Sequence, residues 1–197
     1  MKKNKGVTMI SLAIMLVVLM ILATITMYYG NSAVKEAKLQ DLKTNMLLIQ
    51  ANLKGDLEKY HFETNSLDEA TKNSKKSEYL KGTILSDSSI TEVKEAFDKI
   101  ENSSQVRKKI NKDYPQVSNF KIVNDDIEYN SDEDKFQYYY LDNNTLSQLG
   151  LKDVKSNSEN GYYIVAYSMN PLCSNVVEVI NTKGYLGNYT LSRIELL

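Results

Sequence analysis

Few residues in this chain are of a type that does chemistry. His61 is the only histidine and Cys173 the only cysteine among 197 residues. A Cys–His nucleophile needs both groups within hydrogen-bond reach, and nothing in the sequence brings these two together. His61 falls where a long helix should end and reads as a surface residue. No serine elbow, phosphate-cradling glycine loop or H-E-x-x-H occurs. The acidic run Asp125, Asp126, Glu128, Asp132, Glu133, Asp134 offers the hard oxygen ligands that Ca²⁺ prefers. It lacks the glycine of a calcium-binding EF-hand loop and reads as a solvated loop. Asp125, Asp126, Asp132 and Asp134 are its candidate metal ligands. Arg107, Lys108, Lys109 and Lys112 form a basic cluster with one aromatic neighbour, Tyr114. That composition fits a solvated helix face rather than a nucleic-acid site. The expectation is no enzymatic activity, no cofactor and no nucleic-acid partner.

Charge supports the same reading. The chain has 24 Lys and Arg against 25 Asp and Glu. Three of the lysines are Lys2, Lys3 and Lys5, which leaves 21 basic against 25 acidic residues after Gly6. A single cysteine excludes an intrachain disulfide, so packing alone must hold the core.

The elements that position these residues fall into two halves. Residues 7–29 carry no charge. As a helix they would extend roughly 35 Å, against a hydrocarbon core of about 30 Å. Thr8, Ser11, Thr24 and Thr26 can return their hydroxyls to the helix's own carbonyls. Tyr28 and Tyr29 suit a headgroup layer, and the leading lysines set a cytoplasmic N-terminus with the rest outside. From Leu42 the apolar residues Met46, Ile49, Leu53, Leu57 and Tyr60 follow at steps of three and four, an amphipathic stripe. Residues 64–115 are polar and helical in pattern, with Ser89-x-x-Glu92 as a possible capping box. After Pro115 the pattern turns to short aromatic and β-branched runs: Phe120–Val123, Ile127–Tyr129, Phe136–Leu141, Tyr162–Tyr167 and Val176–Ile180. They predict four or five antiparallel strands packed on the stripe, with the tyrosines divided between core and surface by strand alternation. Asn143–Leu149 reads as a short helix stopped by Gly150.

The junction Lys5-Gly6-Val7-Thr8-Met9-Ile10-Ser11-Leu12 joins a basic leader ending in glycine to the apolar helix. It resembles the processing segment of type IV prepilins and pseudopilins, in the form found in low-GC Gram-positive bacteria. The stretch Gly161–Tyr167 followed by Val179–Tyr185 resembles, more weakly, the C-terminal hairpin of such proteins. The resemblance implies cleavage after Gly6 by a prepilin peptidase and methylation of Val7. It covers about 24 residues at the N-terminus. One departure is Ser11, where the family usually has a glutamate thought to pair with a neighbouring subunit's amine during assembly.

The resulting expectation is an α+β pilin-like fold: a long N-terminal transmembrane and spine helix packed on a C-terminal antiparallel sheet. Its parts are a leader (1–6), a transmembrane segment (7–29), an amphipathic continuation of the spine (30–63), a helical polar region (64–115) and a β domain (116–197). The expected role is a minor pilin or pseudopilin-like structural subunit of a type IV pilus, type II secretion-like or DNA-uptake apparatus. Its expected partners are the membrane, the prepilin peptidase and other pilin-like subunits. The alternative is a single-pass, membrane-anchored extracytoplasmic binding protein that does not polymerise.

Overall fold

The computed structural model describes residues 5–100, 103–114, 117, 120–123, 126–129 and 136–197, with side chains for 12–22, 24, 33–100, 108–114, 117 and 136–197. Helix α1 runs Lys5–Thr64. The chain divides into two compact units, Met1–Asp41 and Leu42–Leu197.

In the second unit, α1 follows its stripe. Met46, Ile49, Leu53 and Leu57 are fully buried and Tyr60 nearly so, while Leu47, Leu48, Glu58 and Lys59 are exposed. Each fully buried Leu or Ile contributes about 1.5–3 kcal/mol. After α1 the chain turns, and Asp68 caps α2 (Glu69–Tyr79), accepting from the backbone N–H of Ala70 and Thr71 at 3.1 Å each. There follow β1 (Thr83–Ile84), α3 (Thr91–Lys99), α4 (Ser103–Asp113), β2 (Phe120–Val123), β3 (Asp126–Tyr129) and β4 (Phe136–Leu141). The chain then forms α5 (Asn143–Gln148), β5 (Tyr163–Ser168), β6 (Val177–Tyr185), β7 (Asn188–Thr190) and α6 (Leu191–Ile194). Asp142 caps α5 through the Thr145 N–H at 2.7 Å, and Gly150 takes φ +81° just beyond it.

The sheet has the order β1-β4-β5-β6-β7, with every pairing antiparallel; β2 and β3 form a separate hairpin. Register assigns the faces, because residues directly opposite on neighbouring strands share one. Tyr139, Val165 and Val179 are aligned, as are Tyr138, Ala166 and Glu178. The first face, with Tyr163 and Tyr167, meets α1: the Tyr163 hydroxyl bonds Asn45, and Gln50 Nε2 donates to the Val177 carbonyl at 2.7 Å. The second face packs Phe136, Tyr138, Ile164, Ala166 and Ile180 against Val93 and Phe97 of α3 and Ile110 of α4. Both faces are covered, so all six residues of β5 are buried.

Several expectations are corrected. Among the described residues no helix is long and apolar enough to cross a membrane. The transmembrane part of the expected fold and the single-pass, N-terminus-cytoplasmic localisation therefore do not stand, and the membrane-anchored alternative falls with them. The fold is α+β, built on a five-stranded antiparallel sheet. One strand, β1, comes from the region read as helical. Alternation divides the sheet tyrosines between two covered faces rather than between core and surface. The Ser89–Glu92 box does not form: α3 starts after Ile90 with no side-chain cap, and the Glu92 carboxylate instead accepts from the Tyr162 hydroxyl.

Candidate assembly surface and polar sites

The first unit presents an apolar surface. From Leu12 to Leu22 every residue is exposed, the large apolar side chains from 47% at Val18 to 68% at Met20. Eleven residues make three helical turns, so the surface is apolar on all sides of the helix. Thr24 turns its hydroxyl back to the helix, donating to the carbonyls of Ile21 (2.8 Å) and Met20 (3.1 Å). It therefore brings no unpaired donor to a neighbour. A helix apolar all round is stable only when surrounded, and contiguous exposed apolar surface of this kind marks an interaction site. Gly6, Val7 and Ser11 lie within α1, but their side chains are outside those described.

Asp125, Asp132 and Asp134 lie outside the described residues, and Asp126 opens β3 with its side chain undescribed. Among the described residues no group of three or more His, Cys, Asp or Glu could hold a metal ion. Of the basic cluster, Lys108, Lys109 and Lys112 are exposed on α4. The charged pairing at that end of the helix is Asp113 with Arg193, whose Nε lies 3.1 Å from Asp113 Oδ2.

Two buried ionisable groups stand out. His61 is 6% exposed, not the surface residue expected, and its Nε2 sits 2.8 Å from the Ser168 carbonyl. A carbonyl only accepts, so Nε2 carries the proton. Burial holds the imidazole below its ordinary 6.5. The signal was in the spacing: Leu53, Leu57 and His61 follow at steps of four. Glu178 is fully buried on β6. Its carboxylate accepts from the Tyr114 hydroxyl at 2.8 Å and from the Ser192 N–H at 3.2 Å. Burial pushes it above 4.5, and these donors partly offset the shift. An acid inside the run Val176–Ile180 was the visible sign. Cys173 is buried in the turn between β5 and β6, where burial raises its thiol above 9.0.

Comparison with protein-family models, curated proteins and solved structures gave no match to this chain.

Proposed function

We propose that this chain is a structural subunit that assembles with other pilin-like subunits through the apolar part of α1, as a minor component of a pilus-like, type II secretion-like or DNA-uptake apparatus. The observation that carries this reading is the exposed run Leu12–Leu22. One partner surface could cover only one side of such a helix; several neighbouring helices are needed to cover all of it. The resemblance of the Lys5-Gly6-Val7 junction to a prepilin processing site supports it independently. On this reading a prepilin peptidase cuts after Gly6, and Val7 becomes the methylated first residue of the assembled form. The second unit, with its closed core, serves as the displayed domain.

The test is recovery from native cells. Pull-down of the full chain should bring other pilin-like subunits with it, and mass spectrometry should find its N-terminus at Val7. Leu16→Lys places a charge in the middle of the apolar run and should abolish co-recovery while leaving the second unit folded. Co-recovery that survives Leu16→Lys would refute assembly through this surface.

A further inference from the structure

A cavity of about 150 Å³ lies where the end of α1 meets α2 and the turn before Cys173. Two lysines line it, Lys72 and Lys76, both on α2. Lys72 pairs with Glu69 at 2.8 Å. The Lys76 ammonium has no hydrogen bond or ion pair among the described residues; the charge acting on it is that of Glu69, at longer range. A half-buried ammonium without a hydrogen-bonded acceptor is costly, and burial lowers its pKa below 10.5. His61 closes the inner wall and is neutral, its Nε2 proton held by Ser168. Met169 and Pro171 supply an apolar wall, and beyond Pro171 the side chain of Leu172 is 94% exposed.

We propose that this cavity binds a monoanionic carboxylate carrying a short aliphatic tail, with the carboxylate on Lys76 and the tail along Met169 and Pro171. Charge decides between oxyanions. Glu69 and Asp68 together offset the charge of Lys72 and part of that of Lys76, so the positive charge left to offer is that of the unpaired Lys76, which one carboxylate neutralises. A phosphate dianion would leave excess negative charge facing Glu69. Size agrees: the volume equals that of about five waters, enough for a carboxylate and a few carbons and too small for a sugar chain. The site is independent of the assembly surface in the first unit.

His61, as the only histidine, gives an isolated reporter. The full chain is titrated with butyrate, acetate and inorganic phosphate while the imidazole ring signals are followed by NMR. Butyrate should shift them saturably, acetate more weakly, and phosphate not at all. Lys76→Gln should weaken butyrate binding by about tenfold or more, as expected for loss of a charge-assisted hydrogen bond. Glu69→Gln removes the competing carboxylate and should tighten it; a purely structural role for Glu69 would give no such gain. No saturable shift with butyrate, an equal or stronger response to phosphate, or undiminished binding in Lys76→Gln would each overturn the proposal.

Discussion

His61 donates to the Ser168 carbonyl from inside the core, and Glu178 accepts from Tyr114 and Ser192 beneath α6. Burial disfavours charge in both, and the consequences for stability have opposite sign. An unfolded imidazole titrates at 6.5 and the folded one lower. Between those values the unfolded chain binds the extra proton, so stability falls as pH drops through that window. Glu178 titrates at 4.5 unfolded and higher when folded. There the folded chain holds the extra proton, and stability falls as pH rises through that window. Urea midpoints across pH should show both limbs. His61→Gln should flatten the decline below 6.5. Glu178→Gln keeps an acceptor for Ser192 and should remove the decline above 4.5, leaving the protein at least as stable at neutral pH. Unchanged profiles in both variants would mean these groups titrate as they do in water. In the sequence only the place of Glu178 inside the apolar run Val176–Ile180 bears on this. Its donors, Tyr114 and Ser192, come from distant elements that no local pattern joins.

The stripe on α1 was legible because a helix repeats every 3.6 residues and one face alone is buried. Met46, Ile49, Leu53, Leu57 and Tyr60 are all core residues. The strands β4, β5 and β6 were legible from their β-branched and aromatic runs, while β7, three residues long, was not. Their surroundings were not, because alternation says which residues share a face and not what covers it. The second covering layer, α3 and α4, reads as polar because few of its residues point inward: Val93, Phe97, Ile100 and Ile110. β1, only two residues long, is fixed by its partners Tyr139 and Tyr140 and has no signature of its own. The candidate sites were less legible still, since the lysines of α2 and the turn at Pro171 meet only through the fold. The stripe predicts that Leu53→Asp, which leaves an uncompensated charge in the core, should cost about 3–5 kcal/mol. Chemical denaturation of the variant against Leu48→Asp, on the exposed side of the same helix, separates burial from any loss of helix propensity. Equal losses would mean that the helix face is misassigned.

At the scale of the whole molecule, every buried apolar residue among those described lies in the second unit, while the described side chains of the first are exposed almost throughout. Folding therefore needs only the second unit, and the first is free to serve assembly. If α1 packs among neighbouring helices there, contact and packing decide the affinity, with no charge pair to fix register. Ser11 stands where the resembled family usually carries a glutamate, and a hydroxyl cannot neutralise a neighbour's amine. A subunit lacking that pair should enter assemblies built by others and should not build long ones alone. The expected result is co-recovery with pilin-like partners at low stoichiometry, measured by quantitative mass spectrometry of the native assembly. Ser11→Glu should raise its share if the missing carboxylate is the limit, with no change in the melting of the second unit. Abundant assemblies made of the unaltered chain alone would refute the minor-subunit reading. An unchanged share in Ser11→Glu would instead show that packing along Leu12–Leu22, and not charge, sets how many copies enter.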